Sequence, residues 1–213
     1  MSKIVSTRKV RARSVKKDVQ RYKILLAAQD IFSMKGYYGS SMNDIAKASN
    51  INKCTLYTFF VGKSTLWYYS SMQYMDSLFQ LVNPVATSNE PPEKKLRKML
   101  ELHIKWRCKN IGMAVVNKSE RKEMPAKLLR SYIKYRDEYE SLYRNVVDQI
   151  ISKYQTKYIN AKYATLFILG VANSINEWYD PTGELSPNQL AKLTYLVCSR
   201  ILEFSENNTE GHD

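Results

Sequence analysis

The chain has 213 residues, a formal net charge of +13 and 44% hydrophobic residues, a composition that excludes a disordered or low-complexity protein. Its three cysteines lie far apart and form no Cys-x-x-Cys pair, so we expect neither a disulfide framework nor a zinc cluster, and a reducing, cytoplasmic compartment fits. No apolar run approaches the roughly 20 residues of a membrane span, and no secretory signal is expected. The composition therefore predicts a soluble protein that needs no metal or cofactor.

The positive charge is concentrated in the first part of the chain. Residues 1–63 hold 13 Lys or Arg and only three Asp, a net charge of +10, whereas the remaining residues carry +3. Such asymmetry fits an anionic polymer or an anionic membrane surface as the partner of the first segment. A lysine-rich surface that is merely solvated is the alternative.

The apolar spacing predicts helices throughout and no β-strand, so the fold class is all-α. Residues 1–17 show charge without apolar periodicity, which predicts a flexible basic arm. A helix from Val19 ends at Gly36, and the next three helices are expected at Met42–Ala48, Lys53–Phe59 and 64–82, with Ser41 and Asn52 as caps. Asn83 and Pro84 open a connector. Further helices are predicted at 96–107, 110–124 with a turn, 126–153, 160–179 and from Pro187 to about Phe204.

The two short helices near the amino terminus have helix-turn-helix spacing. Ile45, Ala46, Ile51 and Leu56 are expected to pack this pair onto the first helix, which leaves Lys53, Thr55, Tyr57 and Thr58 outside. A second helix of about two turns can enter a DNA major groove and place its first residues against base edges. The pattern thus predicts a DNA-binding head.

Several separated elements also carry a family resemblance. The stretches Ile24-Leu25-x-Ala27-Ala28-x-x-x-Phe32-x-x-x-Gly36-Tyr37, Ser41-Met42-x-Asp44-Ile45-Ala46 and Lys53-x-Thr55-Leu56-Tyr57-x-x-Phe60-x-x-Lys63 resemble the TetR family of transcriptional regulators. The resemblance implies a DNA-binding head, a ligand-sensing body and a homodimer joined by the last two helices. It implies phosphate contacts from Tyr57 and Lys63 and base contacts from Lys53 and Thr55. The full expected DNA-binding set is Ser41, Met42, Asn52, Lys53, Thr55, Tyr57, Thr58 and Lys63.

The expected domains follow the same reading. They are the arm at 1–17, the DNA-binding domain at 18–64 with its helix-turn-helix at 41–60, a ligand-binding and dimerisation domain at 65–206, and a disordered tail at 207–213. For several of these residues a structural role is the alternative. Tyr57 can pack within the head and Lys63 can be a solvated charge. Arg8, Lys9, Arg11 and Arg13 fit either a minor-groove arm or non-specific affinity, and Cys54 either a redox sensor or an inert thiol.

The predicted helix 160–179 is apolar on two faces, so both faces must be covered. Leu166, Phe167 and Gly170 lie on one face, and Ile168, Val171, Ala172 and Ile175 lie on the other. One cover is expected to be the core and the other a partner subunit. The last helix is expected to turn its apolar stripe inward, namely Leu190, Leu193, Thr194, Val197, Ile201 and Phe204.

A weaker resemblance concerns the carboxy-terminal half. Gly170-x-x-Asn173 and Trp178-Tyr179-x-Pro181-x-Gly183-x-Leu185-Ser186-Pro187, with Arg136-Asp137-Glu138-Tyr139-Glu140, look like TetR-type regulators of fatty-acid, steroid or aromatic-acid degradation. Such regulators commonly release DNA on binding an acyl-CoA thioester, and Glu177 stands where many carry an arginine. The expected ligand-binding residues are His103, Trp106, Arg136, Tyr139, Asn173 and Trp178. Ordinary packing is the alternative for His103 and for the Trp-Tyr pair.

The function predicted from these features is a dimeric repressor that leaves a near-palindromic double-stranded operator when a small apolar effector binds. A helical enzyme or carrier acting on acyl-CoA is the competing interpretation. It is disfavoured because the sequence has two histidines and none of the glycine-loop, H-E-x-x-H or G-x-S-x-G motifs. A membrane-surface protein would need a cationic amphipathic helix with an aromatic face, which the pattern does not contain.

Overall fold

The computed structural model describes residues 2–204, with side chains from residue 15 onward, and over these residues it contains helices and no strand. The all-α prediction is confirmed. The helices are α1 (Ser2–Lys35), α2 (Met42–Ala48), α3 (Lys53–Phe59), α4 (Lys63–Ala86), α5 (Pro92–Lys109), α6 (Ile111–Glu120), α7 (Ala126–Tyr154), α8 (Ala161–Trp178) and α9 (Pro187–Ile201), with a 3₁₀ turn at Arg121–Glu123. The predicted tail at 207–213 and the side chains of Arg8, Lys9, Arg11 and Arg13 lie outside the described residues.

Capping side chains fix the helix starts that the sequence located best. The Ser41 hydroxyl accepts the N–H of Asp44 at the start of α2, and Asn52 does the same for Thr55 at the start of α3. Asn160 and Ser186 cap α8 and α9 in the same way. Each cap satisfies an N–H group that the helix itself leaves unpaired, which explains why these starts were predictable.

Two helices extend beyond their predicted ends. α1 begins at Ser2, where a flexible arm was expected over residues 1–17, because this segment lacks Gly and Pro and consists largely of residues that a helix tolerates. α4 continues through Pro84 to Ala86. Proline has a helical φ, and the carbonyl that loses its partner belongs to Gln80 on the exposed side, so the helix tolerates it near its end.

The chain divides into two compact units that do not follow the predicted boundary between residues 64 and 65. The first unit comprises Met1–Tyr74 and Val115–Arg130, and the second comprises Met75–Ala114 and Ser131–Asp213. The end of α6 therefore belongs with the head. The indole N–H of Trp67 donates to the Glu120 carbonyl at 3.2 Å, and Val116 and Met124 are buried, which accounts for this grouping.

In the first unit, α1 supplies the surface on which the helix-turn-helix pair packs. Ile24, Ala28 and Phe32 of α1 are buried, as are the predicted core residues Ile45, Ala46 and Leu56. The rings of Phe32 and Trp67 meet edge-to-face with centroids 4.9 Å apart. This packing fixes α2 and α3 relative to α1.

In the second unit, α5 packs against α8 and α9. Ile168, Ala172 and Ile175 of α8 face this core, as the sequence predicted. The prediction for α9 is correct for Leu190, Thr194 and Phe204 but wrong for Leu193 and Val197, which are exposed. α9 is apolar over more than one stripe, and its core-facing positions are those that repeat with Leu190, Thr194 and Cys198. The periodicity alone does not choose between two such stripes.

Candidate nucleic-acid interface

The turn between α2 and α3 is held by backbone hydrogen bonds. Asn50 adopts a left-handed conformation with φ of 53°, and the N–H of Ile51 returns to the carbonyl of Ala46 at 3.0 Å. α3 then begins at Asn52, whose Oδ1 accepts the N–H of Thr55 at 2.7 Å. Asparagine tolerates the left-handed region, so it replaces glycine here without opening the turn.

α3 is amphipathic, with Leu56 facing the core and a polar face toward solvent. Lys53, Tyr57 and Thr58 are exposed and Thr55 is half-buried, while the Tyr57 side chain is 45% exposed. The Thr58 hydroxyl donates to the Thr55 carbonyl at 2.7 Å. The structure therefore brings together on one surface the four side chains that the sequence placed outside.

The start of α2 uses Ser41 for capping. The Ser41 hydroxyl donates to Asp44 Oδ2 at 2.6 Å, and Lys35 donates to the other carboxylate oxygen at 2.9 Å. These two hydrogen bonds, that of Ser41 first, lower the pKa of Asp44 to about 2. Lys35 and Ser41 are thus engaged by a permanently ionised Asp44.

Met42 does not fit a side-chain contact with DNA. Its side chain is only 7% exposed because it lies on the inner face of α2 with Ile45 and Ala46. The expectation of a DNA-contacting Met42 is corrected in this respect. A contact from this position is left to its backbone N–H in the first turn of α2.

Lys63 joins the start of α4 to the turn before α2. Its ammonium donates to the carbonyls of Tyr37 at 2.8 Å and Ser40 at 3.0 Å, and lies 4.3 Å from the centre of the Tyr37 ring. Two of its three N–H groups are therefore occupied within the head. One N–H remains for a further acceptor.

Two further cations of α1 lie against aromatic rings of the same unit. The Lys17 ammonium lies 5.9 Å from the centre of the Phe59 ring at the end of α3, and the Arg21 guanidinium lies 4.3 Å from that of Tyr69. Cation–π contacts of this kind hold α1 against α3 and α4. The result is a rigid helix-turn-helix unit with cations beside its exposed helix.

Comparison with known proteins agrees with this architecture. A family model described as "Bacterial regulatory proteins, tetR family" matches residues 24–67, and one described as "Tetracyclin repressor-like, C-terminal domain" matches residues 89–202, more than half of the chain. The chain belongs to the TetR family.

Known TetR-family members are similar to this chain over different lengths. The transcriptional activator FasR of Mycolicibacterium smegmatis is 26% identical over 91 residues, which are 43% of this chain and 42% of FasR. The chain spans less than half of the length of the curated relatives it matches.

Solved structures share the fold over most of the chain. PfmR from Thermus thermophilus has a TM-score of 0.73 at 22% identity, covering 86% of this chain and 98% of its own. AibR, solved in complex with isovaleryl coenzyme A and operator DNA, has a TM-score of 0.76 at 20% identity, covering 84% and 97% of the two chains. At these identities the likeness concerns the fold.

The second unit of this TetR-family protein contains a buried polar group of side chains, the His103 cluster, formed by His103, Arg107, Tyr139, Tyr143 and Asn173. The His103 side chain is 1% exposed. Its Nδ1 lies 3.1 Å from the Tyr139 hydroxyl and 3.3 Å from that of Tyr143, and its Nε2 accepts the Arg107 Nε–H at 3.3 Å. Arg107 also donates to the side-chain carbonyl of Asn173.

Burial sets the protonation states in this cluster. Burial, and then the charge of Arg107, lower the pKa of His103 well below its usual value, while burial raises the pKa values of Tyr139 and Tyr143. His103 is therefore neutral at pH 7. Because Nε2 accepts from Arg107, we assign the ring proton to Nδ1, which can donate to a tyrosine oxygen.

The structure unites only some of the predicted ligand-binding residues. His103, Tyr139 and Asn173 meet in the cluster, and the hydrogen-bonded, buried His103 matches the packing alternative. Trp106 is buried nearby in sequence but donates its indole N–H to Ser77 at 3.1 Å, and Arg136 and Trp178 are exposed. Arg107 was missed, although its position one turn after His103 on the same helix face was the available signal.

Other kinds of site find no support in the part of the chain with known coordinates. Between residues 2 and 204, no three His, Cys, Asp or Glu side chains are arranged to hold a metal ion. In that same range, no helix is both long and apolar enough to cross a bilayer.

Proposed function

We propose that this TetR-family protein is a homodimeric repressor that binds a near-palindromic operator through α3 and leaves it when an apolar effector binds in the second unit. The single observation that carries the proposal is the exposed polar face of α3, which extends from a capped start on a rigid helix pair. We further propose that it acts in the cytoplasm. Family membership favours this function over an enzyme.

The DNA contacts are assigned from exposure and chemistry. Lys53 and Thr55 lie in the first turn of α3, where a helix in the major groove meets base edges, and lysine can donate to guanine. Tyr57 and Thr58 lie one turn further along and have hydroxyls suited to phosphate oxygens. The remaining N–H of Lys63 is suited to a phosphate at the start of α4.

The second copy is assigned to the exposed apolar faces of the last two helices. Tyr163, Leu166 and Phe167 of α8 are exposed at helical spacing, with Phe167 61% exposed, and Gly170 on the same face has open space around it. Leu193, Leu196 and Val197 form an equivalent exposed face on α9. Apolar faces of this extent are typical of protein–protein contacts, and two recognition helices are needed to read two half-sites.

The effector is assigned to the His103 cluster because Arg107 brings a positive charge there without a carboxylate. Its described hydrogen-bond acceptors are His103 and Asn173, both neutral. A partly buried cation held by neutral groups can be compensated by an anionic or strongly polar group of a ligand. AibR was solved with isovaleryl coenzyme A, and an acyl-CoA thioester is the effector class that we propose.

DNA binding is tested by fluorescence anisotropy with a labelled duplex from the region upstream of the protein's own gene. Lys53→Ala is expected to weaken binding at least tenfold and to reduce the slope of log K against log salt by about one. Lys134→Ala, which removes an exposed lysine of α7, is the matched control and is expected to change neither. Absence of saturable, salt-dependent binding by the unmodified chain would contradict the function.

Dimerisation is tested separately by sedimentation. Phe167→Glu places charges in the proposed interface and is expected to yield monomers with unchanged circular dichroism. Tyr158→Glu introduces the same charge at an exposed position between α7 and α8 and is expected to leave the dimer intact. A Phe167→Glu dimer as tight as the unmodified one would exclude this interface.

Effector response is tested on the preformed protein–DNA complex. Isovaleryl-CoA and longer acyl-CoA thioesters are added, with free coenzyme A as the control for the nucleotide portion. Release by a thioester that is at least tenfold weaker in Arg107→Gln supports the assignment. Equal release from both proteins would place the effector elsewhere.

A further inference from the structure

A groove of about 410 Å³ lies in the second unit, where α4 ends and α5 begins. We call it the α4–α5 groove. Its walls are Pro84, Val85 and Ser88 on the α4 side and Glu90, Lys94, Lys95 and Lys98 on the α5 side. It shares no residue with the His103 cluster or with the head. It thus combines an apolar wall with three ammonium groups and a single carboxylate.

Lys95 is the unusual member of this groove. The residue is only 8% exposed, and no hydrogen bond or ion pair joins its side chain to any residue with described coordinates. A buried lysine is rare without a partner, because its strongly hydrated ammonium loses water on burial. Its apolar stem can pack in the core while the ammonium reaches the groove, which is the only wall where it meets open space in the described surroundings.

The charges around Lys95 leave a positive excess. Lys98 is partly compensated by Glu101, which it contacts at 3.1 Å, and Glu101 in turn contacts Lys105 at 2.5 Å. Glu93, next to Lys94, is buried and pairs with Lys153 at 2.7 Å, so its carboxylate is engaged. Glu90 is the remaining acid of the groove, against Lys94 and Lys95.

The backbone adds to this excess. α5 is an 18-residue helix whose cap position is Pro91, and no side chain caps its first N–H groups. The amino-terminal end of a helix carries partial positive charge and has free N–H donors. An anion in the groove would therefore meet both ammonium groups and the start of α5, and Pro84 and Val85 would contact an attached apolar portion.

We propose that the α4–α5 groove binds a small molecule bearing phosphate groups. The proposal is independent of DNA binding and of the effector site at the His103 cluster. Lys95 supplies the desolvated charge, Lys94 and Lys98 lie at the rim, and Glu90 opposes the anion. A phosphate ester fits better than a simple carboxylate, because several acceptor oxygens can bind ammonium groups and backbone N–H groups together.

The test measures binding by the full chain without DNA, using isothermal titration calorimetry with pyrophosphate, ADP and free coenzyme A at constant ionic strength. Saturable binding of any of the three supports the site, and their ranking separates phosphate alone from a phosphate with an apolar portion. Lys95→Met keeps the stem and removes the charge, and it is expected to weaken binding at least tenfold. Glu90→Gln removes the opposing carboxylate and is expected to tighten binding severalfold.

Two controls separate this site from a general effect of charge or folding. Lys105→Gln removes a lysine of the same helix that does not line the groove, and it is expected to change the affinity less than twofold. The melting temperature of Lys95→Met without ligand is expected to be equal to or above that of the unmodified chain, because a buried unpaired charge is lost. Absence of binding by all three compounds at millimolar concentration, or equal affinity in Lys95→Met, overturns the proposal. Loss of DNA binding in Lys53→Ala leaves it unaffected.

Discussion

The Glu120 carboxylate accepts the backbone N–H of Tyr37, with 2.5 Å between the nitrogen and Oε2. Two neighbouring contacts reinforce it, because the Tyr38 hydroxyl donates to Glu123 and the Trp67 indole donates to the Glu120 carbonyl. The end of α6 is thereby attached to the turn between α1 and α2. This relationship explains why residues 115–130 form one compact unit with the head rather than with the remainder of the body.

Glu120→Ala is expected to lower the free energy of unfolding by about 1–2 kcal/mol, the usual range for a lost hydrogen bond to a charged group that is half-buried. Urea denaturation at fixed protein concentration measures this. Glu184→Ala, in the exposed turn after α8, is the control and should stay within about 0.5 kcal/mol. Equal stability of the two variants would show that the Glu120 contact contributes nothing.

Gly36→Ala is expected to destabilise the head for two reasons that act together. Gly36 has φ of +69°, and an added Cβ would lie 3.2 Å from Glu120 Oε1. A loss of about 1–2 kcal/mol follows from the left-handed backbone alone. Gly62→Ala, at a glycine with open space around it, should change the melting temperature little. A Gly36→Ala protein as stable as the Gly62→Ala protein would refute this reasoning.

Asn52→Ala removes the cap of α3 and is expected to cost about 1 kcal/mol of stability. Because α3 is short, DNA affinity should fall as well, since its exposed face would be less well ordered. Asn43→Ala, at an exposed asparagine inside α2, provides the control for the loss of an amide. Denaturation and anisotropy on both variants give the answer, and unchanged values for Asn52→Ala would mean that the cap is dispensable.

The stability of the second unit is expected to fall in mild acid because of His103. Its folded pKa is depressed, whereas the unfolded chain binds a proton near pH 6.5, so stability is complete above pH 6.5 and is lost as the pH falls toward the folded value. The expected slope is about 1.4 kcal/mol per pH unit. The difference between unmodified chain and His103→Gln, measured by urea denaturation from pH 7.5 to 5, isolates this contribution. A difference that does not vary with pH would exclude it.

The sequence predicted the helix-turn-helix because its signals are local. Ser41 and Asn52 mark helix starts through hydrogen bonds that span three residues, and Gly36 and Asn50 mark turns through backbone conformations that few residues tolerate. Such interactions form between neighbours in the chain, so the boundaries of α2 and α3 were correct to the residue. The exposed set on α3 followed from the same helical periodicity.

The candidate sites in the body were less predictable. His103, Tyr139 and Asn173 were proposed separately, but their union through Arg107 depends on α5, α7 and α8 packing together. Arg136, in the same helix as Tyr139, was proposed with equal reason and lies exposed. Periodicity indicates which residues share a helix face, not which neighbouring helix that face meets.

The chain's own letters determined the all-α class, the family of the DNA-binding head and the face that α3 presents, since each follows from contacts within a few turns. Only the folded arrangement decided that Met42 is buried, that Leu193 and Val197 are exposed, that residues 115–130 join the head and that Lys95 opens onto a groove. These features depend on contacts between residues far apart in the chain. Such contacts are selected by the packing of the whole core, which no single stretch of sequence specifies.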